Sequence, residues 1–522
     1  MRLRTALLST CLCVLAGQAM AQTTLNVAVG GAFTSMDPHY HNLNPNNVLT
    51  SYVFDSLVIS DPQFKPSPGL ATSWKAVDET TWEFKLRDAK FSDGTPFTAD
   101  DVVFTFGRVP KVLNSPSSFN FAVKPVNRIE VVDPHTIRFH SDKPVALMPF
   151  LMASLKIVSR KNGDGATTPD YNSLKAAIGT GPYKVTSFTL GDRAVFEKNE
   201  TSWWADKIKW QKVNYRIISN DAGRIAALES GDVDVIDQVP PRDVATLRKN
   251  AKLDVISQPG QRLIYVVPDV GRKDAPFITD TAGKPLDKNP LQDVRVRKAL
   301  SLAINRDALR DRIMDGFSAP TGQVVPDHSV GWVPSIKPDP YDPAQAKKLL
   351  AEAGYPDGFG ITLHGPNDRY VNDSKLVEAI AQMWTRIGVK TQVETMPAAT
   401  FFSRATRHEF AIRLTGWASD TGEASSNLNW ILASSNPEKG RGAVFDPTHF
   451  ADPKVDELVE KALATVDEQQ REALYREATL AAMPQEPIIP LHFQVNIWAV
   501  RKGFTFHPRT YEGTRAWDID GH

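Results

Sequence analysis

The stretch Ala411 to Ala424, AIRLTGWASDTGEA, carries the residues whose types and spacing best suit ligand chemistry. It reads as a short apolar strand that ends in Gly416 and Trp417 and continues into a polar loop with Asp420. Trp417 offers an apolar wall and a cation–π face, Gly416 permits close backbone approach, and Asp420 supplies a negative charge. This combination predicts a cleft that holds a small amphipathic cation. The alternative is that Trp417 belongs to a core and Asp420 stabilises a turn.

Other polar motifs of the chain favour structural roles over chemistry. His39 and His41 alternate in a loop, but no cysteine or third ligand follows in a fixed spacing, so we expect no metal site. Gly179-Thr180-Gly181 resembles part of a phosphate-binding loop but lacks the lysine that such a loop requires. The sequence also lacks G-x-S-x-G, H-E-x-x-H and a catalytic cysteine. We therefore expect no catalytic residue and no cofactor, and we expect that the protein is not an enzyme.

The first 21 residues have the form of a secretory signal peptide. Arg2 and Arg4 precede a short apolar run, and Ala19-Met20-Ala21 has the small-x-small form of a cleavage site. Both cysteines, Cys11 and Cys13, lie inside this segment, so the mature chain would contain no disulfide. A lipoprotein cysteine is the alternative interpretation of Cys11. The segment predicts export to the periplasm.

Length and charge limit the class of function. The chain has 522 residues with 60 basic and 60 acidic side chains, and removal of Arg2 and Arg4 leaves a net charge of −2. A chain of this charge does not indicate a nucleic-acid partner. No later stretch approaches the roughly 18 uninterrupted apolar residues of a membrane helix. A chain of this length without disulfides normally folds into two or three domains with ordinary hydrophobic cores.

Strands and capped helices alternate along the chain, and they must position the motif at 411–424. Residues 82–86 alternate between apolar and charged side chains, as in a half-buried strand. In the second half, Asp342-Pro343 predicts the start of a helix, and a later amphipathic helix is followed by the strand pattern of 389–393. We expect one long amphipathic helical stretch from Asp452-Pro453 to about Met483. This alternation predicts an α/β fold.

A set of motifs occurs in one order over nearly the whole mature chain: SMDPH, LATSW, TWEFKLRDAKFSDGTPFTADDVVF, GTGPYKVTSFTLGDR, RIAALESGDVDV, VRKALSLAINRDAL, DPYDPAQAKKLLAEAGYPDG and GWASD. In these motifs the chain resembles the periplasmic solute-binding proteins of dipeptide, oligopeptide and nickel ABC transporters, known as solute-binding protein family 5. The resemblance implies an α/β, two-lobed periplasmic-binding-protein fold of the cluster C type, with a hinge and an extra domain. It implies a division into a signal peptide at 1–21, an N-terminal lobe at 22–65, 190–280 and 495–522, an extra domain at 66–189 and a C-terminal ligand-binding lobe at 281–494.

The resemblance also implies roles for candidate ligand-binding residues. In peptide-binding members, the Asp of a GW-x-x-D stretch pairs with the α-ammonium group of the ligand, and this role falls to Asp420. A loop after the capped Asp-Pro helix often meets the ligand carboxylate, and in HGPNDRYVND this loop offers Arg369 and Tyr370. The full set of expected ligand contacts is Asp420, Trp417, Gly416, Arg369, Tyr370, Asn367, Met36 and His39.

Two departures from the family pattern bear on the identity of the ligand. Oligopeptide-type members tend to carry an Arg two residues before the Gly of GW, whereas this chain has Leu414 there and Arg413 one residue earlier. A shift of one residue in a strand turns a side chain to the opposite face. The loop after Asp420, TGEASSNLNW, also lacks the Asp-Pro or Glu-Pro often seen in peptide binders. The pattern therefore leaves open a small ligand or one that is not a peptide.

The leading hypothesis is a binding component of an ABC importer. It would capture a small amphipathic solute, such as a short peptide or an amino-acid derivative, and deliver it to permease subunits in the inner membrane. We expect a monomer that closes over the ligand by a population shift. The alternatives are a binder of a metal chelate, an opine-like conjugate or a sugar, a protein that presents its ligand to a chemoreceptor, and an exported hydrolase.

Overall fold

The computed structural model describes residues 24–274, 276–327, 329–419, 421–436 and 449–521. Asp420 and the expected signal peptide therefore lie outside the described residues. No helix in the described ranges is both long enough and apolar enough to cross a membrane.

The described chain alternates strands and helices, which confirms the predicted α/β class. The strands are β1 Thr24–Val29, β2 Val58–Ser60, β3 Pro66–Pro68, β4 Ala71–Asp78, β5 Thr81–Leu86, β6 Arg128–Asp133, β7 Thr136–His140, β8 Tyr183–Thr189, β9 Arg193–Lys198, β10 Lys212–Ile217, β11 Val235–Ile236, β12 Leu253–Pro268, β13 Ile278–Thr279, β14 Ser318–Pro320, β15 Phe359–Pro366, β16 Val389–Met396, β17 Ile412–Ala418, β18 Ile489–Arg501, β19 Phe504–Phe506 and β20 Ile519–Gly521. The α-helices are α1 Asn44–Thr50, α2 Ala99–Arg108, α3 Asn120–Val123, α4 Met148–Ser154, α5 Arg160–Gly163, α6 Thr168–Asn172, α7 Asp221–Ser230, α8 Pro241–Leu247, α9 Val294–Leu302, α10 Arg306–Ala308, α11 Pro343–Glu352, α12 Asp373–Thr385, α13 Ala398–Thr406, α14 Ala424–Asn427, α15 Pro453–Ala464 and α16 Glu468–Ala482.

One large sheet runs through both lobes in the strand order β13-β15-β17-β12-β18-β11-β1-β10-β9-β8. Strands β12 and β18 are long antiparallel neighbours that belong to both halves of this sheet. Residues 253–259 of β12 pair with 495–501 in the first lobe, and residues 263–268 pair with β17 in the second. The pairing of β12 with β18 shifts register between Pro259 and Leu263. This bulge marks the crossing between the lobes, where the sheet can bend.

Successive side chains of β12 and β18 point to opposite faces of the sheet and therefore lie in different cores. In β12, Ile264 and Val266 join a core beneath α9 and α12, whereas Leu263, Tyr265 and Val267 join one beneath α15 and α16. In the first lobe, Trp498 and Val500 of β18 join the core around Leu25 and Val27, whereas Ile497 and Ala499 face a second core with Leu228 and Leu247. Each half of the sheet is therefore covered on both faces.

A separate four-stranded sheet, in the order β4-β5-β7-β6, forms the centre of the extra domain. Its core contains Phe84, Phe139, Phe97 and Val102, and α2 covers it. Strand β8, in contrast, pairs with β9 and so lies in the large sheet, although the sequence-based division placed residues up to 189 in the extra domain. The exact division of the chain into lobes stays a prediction.

Helix starts follow the local signals of the sequence more closely than helix lengths do. The Asp342 carboxylate accepts a hydrogen bond from the Gln345 backbone N–H at 2.9 Å and so caps α11, as predicted. The helical stretch expected from 453 to about 483 consists of two helices: α15 ends at Ala464, and the Asp467 carboxylate accepts from the Gln470 backbone N–H at 2.9 Å to begin α16. A strong internal cap therefore divides the amphipathic stretch into two helices.

Candidate ligand-binding cleft

The candidate site begins where β15 and β17 end side by side in the second lobe. His364 of β15 pairs with Arg413 of β17, so the loop after β15 reaches the carboxyl end of β17. There the Tyr370 hydroxyl donates a hydrogen bond to the Gly416 carbonyl oxygen at 3.1 Å. The structure thus brings together three of the predicted residues, Arg369, Tyr370 and Gly416, beside Trp417.

Gly416 is required by close packing at this junction. A Cβ atom at this position would lie 2.8 Å from Ile264 Cδ1 and 2.9 Å from Tyr370 Cε1. Both distances are shorter than ordinary carbon contacts, so any larger residue would displace the Tyr370 ring or β12. The glycine therefore lets the loop after β15 lie against the end of β17.

The loop that carries Arg369 and Tyr370 is held by a buried carboxylate that the sequence analysis did not single out. Asp373 Oδ2 accepts hydrogen bonds from the backbone N–H groups of Arg369 and Tyr370 at 2.9 and 3.0 Å. Burial raises the pKa of the Asp373 carboxyl, while the same backbone hydrogen bonds favour its charged form. The loop is therefore fixed before any ligand arrives. Asp373 begins α12, and its place in the first helical turn was the available signal.

A charged pair at the crossing of the lobes forms the floor of the site. The Arg262 guanidinium donates from Nε and Nη2 to the two oxygens of the Glu512 carboxylate at 2.7 and 2.9 Å. Burial would lower the pKa of Arg262, but the Glu512 charge and these hydrogen bonds raise it above its usual value. Burial likewise opposes the charge of Glu512, but Arg262 and then Arg369 lower the pKa of this carboxyl overall. Both groups remain charged near neutral pH.

Arg369 is a further cation at the same place, where the charge of Glu512 attracts it without a direct ion pair. Its guanidinium forms neither a hydrogen bond nor an ion pair with any residue in the described ranges. It lies 5.1 Å from the centre of the Tyr370 ring, and the Arg262 guanidinium lies 5.9 Å from that centre. Arg369 is exposed by area, yet desolvation by the surrounding protein, followed by repulsion from Arg262, lowers its pKa. Because the Arg369 side chain is accessible to water and is also partly desolvated by the surrounding protein, we infer that it lies in a cleft.

Trp417 forms part of the wall rather than a fully buried core. Its backbone pairs with Leu263 of β12, and its indole N–H donates to the Ser426 hydroxyl at 3.1 Å. The ring is half-buried and lies 6.1 Å from the ring of Trp430. One edge of the indole is thus anchored while part of its surface stays accessible, as a ligand wall requires.

The loop around Asp420 is positioned from both sides, although Asp420 itself lies outside the described residues. Ser419 accepts a hydrogen bond from the Gly422 backbone N–H at 3.1 Å. The buried Glu423 carboxylate accepts from the Tyr475 hydroxyl at 2.7 Å and pairs with Arg471 at 3.4 Å. Burial raises the pKa of Glu423, and these two partners oppose that shift. Helix α16 therefore anchors the residues that follow the GW-x-x-D stretch.

The first lobe contributes the opposite wall through its last segment, residues 509–518. The Asn44 side-chain amide donates to the Glu512 carbonyl oxygen at 3.1 Å, and the Thr514 hydroxyl donates to Asp237 at 3.2 Å. Burial raises the pKa of the Asp237 carboxyl to about 6. Sequence reasoning did not identify Arg262, Glu512 or Asp237, because their partners are distant in the chain and no local motif marks them.

The lobes touch across the cleft at Phe64. A Cβ atom on Gly422 of the second lobe would lie 2.8 Å from Phe64 Cβ, so the two backbones are in close contact. The Phe64 ring lies 5.0 Å from the ring of Tyr511 in the first lobe. Phe64 has a φ of 71°, a left-handed conformation that costs free energy for a bulky residue. The Phe64 side chain therefore connects the two lobes in the described structure.

His39 is placed by the structure in a buried network away from Arg369 and Trp417. The Arg108 guanidinium forms a bidentate ion pair with Asp37 at 2.9 and 2.7 Å and donates to His39 Nδ1 at 2.9 Å. Because an arginine can only donate, Nδ1 accepts, and the Nε2–H group donates to the Lys156 carbonyl oxygen at 2.7 Å. Burial and the Arg108 charge lower the pKa of His39 to about 4. The imidazole is therefore neutral and structural.

Met36 and Asn367 are also separated from the cleft contacts. Met36 is fully buried in the first-lobe core, where its backbone N–H donates to the Asn172 side chain at 2.8 Å. Asn367 is exposed, and its backbone N–H donates to the Met396 carbonyl oxygen at 3.0 Å. The motif SMDPH thus stabilises the fold, and Asn367 begins the loop that Asp373 fixes. Ligand contacts for these two residues stay predictions.

Comparison with known proteins agrees with this geometry. A sequence model of the bacterial extracellular solute-binding proteins, family 5, matches residues 65–439. The glutathione-binding protein GsiB of Escherichia coli strain K12 is 28% identical over 512 residues, which cover 96% of this chain and 93% of that protein. The structure of HbpA2 from Haemophilus parasuis has a TM-score of 0.78 at 26% identity and covers 96% of this chain and 100% of that chain.

A third similarity concerns the fold alone. The periplasmic binding protein DppA from Helicobacter pylori, solved in complex with the peptide STSA, has a TM-score of 0.77 at 24% identity. The match covers 95% of this chain and 98% of that one. The predicted two-lobed fold is thereby confirmed, together with the family resemblance. This chain belongs to family 5 of the bacterial extracellular solute-binding proteins.

Proposed function

We propose that this protein is the substrate-binding component of an ABC importer and that its ligand is a short peptide with a free carboxylate. The observation that carries the proposal is the Arg369 guanidinium, an accessible cation beside Tyr370 that forms no hydrogen bond or ion pair with any described residue. A ligand carboxylate would supply a direct partner through a bidentate contact. Its apolar parts would lie on the exposed surface of Trp417.

The relatives support a peptide as the ligand class. The E. coli relative is named for binding glutathione, itself a tripeptide, and the H. pylori neighbour holds the peptide STSA. Asp420 keeps the role implied by the family pattern, as counter-charge for the ligand ammonium group. The two ends of a short peptide would then meet opposite charges within one cleft.

The wider role follows from the binding role. The family binds solutes rather than transforming them, and we propose that this chain has no enzymatic activity. We further propose that residues 1–21 direct export, that the mature protein acts as a monomer in the periplasm, and that it delivers its ligand to membrane permease subunits. Intact mass of the protein recovered from the periplasm tests export, because loss of 1–21 removes both cysteines.

The proposal is tested by calorimetric titration of the mature protein with dipeptides, tripeptides, glutathione, free amino acids, sugars and nickel chelates. We expect binding of at least one peptide, and we expect to recover that peptide unchanged after release. A tight ligand also raises the melting temperature by mass action. Binding of a sugar or a metal chelate without binding of any peptide would contradict the proposal, and turnover of the ligand would restore the hydrolase alternative.

Substitution of Asp420 and Arg369 tests how the ligand is held. Asp420→Asn keeps size and hydrogen bonding but removes the charge, which we expect to weaken an amine-bearing ligand by roughly 30- to 5,000-fold. Arg369→Lys keeps the charge but removes the bidentate geometry, so we expect a smaller loss that disappears for a peptide amide. Lys249→Met, at an exposed site after α8, serves as the control. Unchanged affinity in Asp420→Asn would refute the counter-charge role.

A further inference from the structure

A second group of cations comprises Lys156 of the extra domain and Arg515 of the last segment of the first lobe. The Lys156 ammonium group forms no hydrogen bond or ion pair with any residue of the described ranges. The Arg515 guanidinium likewise donates no described hydrogen bond and lies 5.9 Å from the centre of the Trp517 ring. Both side chains are half-buried, so neither is a freely solvated surface charge.

The two cations belong to one site. The charge of Arg515 is the second cause, after burial, that lowers the pKa of Lys156, to about 8. Two like charges that repel each other and lack a paired anion raise the free energy of the empty site, and a bound anion would relieve this cost. The acids whose charges act on these two cations have other partners. Asp55 Oδ2 accepts from the Trp203 indole at 2.8 Å and from the Thr180 hydroxyl at 3.0 Å, and the Asp518 carboxylate forms a bidentate pair with Arg509.

Aromatic rings frame this site and add a donor. Trp203 and Trp204 are stacked with their ring centres 5.3 Å apart, and Trp204 lies 5.3 Å from Trp517. The buried Trp204 indole N–H has no hydrogen-bond acceptor in the described part of the chain. The site therefore offers three kinds of donor: an ammonium group, a guanidinium group and an indole N–H. Such a set favours an anion over a cation.

The backbone connects this site with the one around Arg369. Glu512, which pairs with Arg262 in the floor of the cleft, precedes Arg515 by three residues. Three residues span about 10 Å at most, so the backbone positions of Glu512 and Arg515 lie within the length of a short peptide. Both sites lie on the path of the segment 509–518, whose Tyr511 contacts the cross-cleft residue Phe64.

We propose that Lys156 and Arg515, beside Trp517, form a second anion-binding subsite that takes a second carboxylate of the ligand. The substrate class is then a short peptide with two carboxylates: one is bound by Arg369, and the other is bound on the first lobe. The inference rests on the proposed function, because it assumes that a peptide occupies the cleft. It adds a specificity that the second lobe alone does not explain.

The test uses matched peptides that differ only in one carboxylate. The first probes are alanine tripeptides with one Glu at each position in turn and the same peptides with Gln in place of Glu. The last two probes are glutathione and the variant of glutathione whose glycine carboxylate is an amide. We expect at least one acidic member to bind about 10-fold or more tighter than its neutral partner in calorimetric titration, as a charge-assisted hydrogen bond supplies.

The variants assign that preference to the subsite. Lys156→Met and Arg515→Met should each remove most of the preference and leave the affinity for the neutral peptides within about 3-fold. Lys156→Arg, which keeps the charge, should retain part of it, and Lys249→Met should retain all of it. Melting curves report whether each variant folds. Arg515 lies against Trp517, so Arg515→Met could fail to fold for structural reasons. In that case the comparison of Lys156→Met with Lys156→Arg tests the subsite.

The outcomes separate this inference from the proposed function. If peptides bind but acidic and neutral members bind equally, or if the preference survives in Lys156→Met, the second subsite is refuted and the peptide-binding function stands. If none of the peptides binds, the proposed function fails and this inference fails with it. A preference that disappears in Lys156→Met but persists in Lys249→Met supports both.

Discussion

At the scale of single residues, the cleft is controlled by charges that the protein pairs incompletely. Arg262 is satisfied by Glu512, whereas Arg369 beside it is not. Pairing one of two neighbouring arginines keeps the floor rigid and leaves the other free for a ligand. Desolvation, followed by repulsion from Arg262, lowers the pKa of Arg369. A ligand carboxylate would offset this repulsion, which contributes to affinity.

The Arg262–Glu512 pair gives a prediction for stability. Side-chain exposures of 9% and 23% place the pair mostly out of solvent, so Glu512→Gln should leave the Arg262 charge poorly compensated. We expect unfolding to become easier by about 1–3 kcal/mol in a denaturant titration. Adding Arg262→Met should recover part of the loss, because the uncompensated charge is then removed. Additive losses in the double variant would show that the two side chains do not act as a pair.

His492 gives a prediction for pH dependence. It is 2% exposed on β18, its Nε2 atom has no described partner, and burial lowers its pKa to about 4. The unfolded chain, with a pKa near 6.5, takes up a proton as the pH falls from 6.5 towards 4, while the folded protein does not. Stability that is present above pH 6.5 is therefore lost over this window.

The size of this loss is measured against His492→Leu, which has a similar volume and no titratable group. We expect wild type to lose about 2–3 kcal/mol relative to the variant between pH 7 and pH 4.5. Taking the difference cancels the carboxylates, including Asp237, that titrate in both proteins. Parallel stability curves over this range would mean that His492 protonates normally in the folded state.

At the scale of elements, the site depends on how closely β12, β17 and the loop after β15 pack. Gly416 is the position where this packing has no spare space, since a Cβ atom there would meet both Ile264 and Tyr370. Arg369 and Trp417, which we propose contact the ligand, are the sequence neighbours of Tyr370 and Gly416 in this contact. A change in packing at Gly416 should therefore alter ligand affinity through the positions of Arg369 and Trp417.

Gly416→Ala tests this coupling. We expect a loss of stability of about 1–3 kcal/mol from overpacking and a drop in ligand affinity of about 10-fold, because the Tyr370 ring must move. The matched control is Gly107→Ala on α2, where an added Cβ meets no atom within 4 Å and should be neutral or slightly stabilising. If Gly416→Ala bound ligand with wild-type affinity, the position of Tyr370 would not matter for binding.

Elements also show what sequence reasoning could reach. The cap at Asp342, the strand that ends in Gly416 and the loop with Arg369 were predictable, because each depends on residues close together in sequence. The helical stretch at 453–483 was predictable for the same reason, whereas its division at the Asp467 cap was not part of the prediction. Arg262 and Glu512 are 250 positions apart, and no local pattern marks either one as a partner of the other.

His39 illustrates the opposite difficulty. The motif SMDPH is a marker of the family, and the family resemblance predicts that its histidine, His39, contacts the ligand. The structure instead shows both ring nitrogens occupied by Arg108 and Lys156. A family motif identifies a fold, and only geometry separates the residues that build the scaffold from those that meet the ligand.

At the scale of the whole molecule, closure brings together lobes whose cores are separate. The contact of Phe64 with Gly422 and a hydrogen bond from the Ala146 backbone N–H to the Leu463 carbonyl oxygen at 3.2 Å join the two sides. We expect the ligand between the lobes to supply much of the free energy of closure, through its preference for the closed form.

Phe64→Ala should shift this balance towards the open form. Removing the ring takes away a contact made only when the lobes are closed, so we expect affinity to fall several-fold without any change in ligand contacts. Small-angle scattering of the ligand-free variant should give a radius of gyration equal to or larger than that of wild type. The control is Phe277→Ala, which also has a positive φ, 63°, but packs on His364. Equal effects of both variants would indicate loss of stability rather than of closure.

The double crossing of the large sheet has a consequence for the order in which the molecule can be made. Strand β1 lies between β10 and β11, and β18 completes the same half of the sheet. The core around Leu25 and Val27 also contains Trp498, Phe506 and Ile519 from the other end of the chain. During synthesis, the core of the first lobe therefore cannot form completely until the last residues have been added. The chain therefore cannot complete its fold until synthesis has ended, and it can be transported before then while still unfolded.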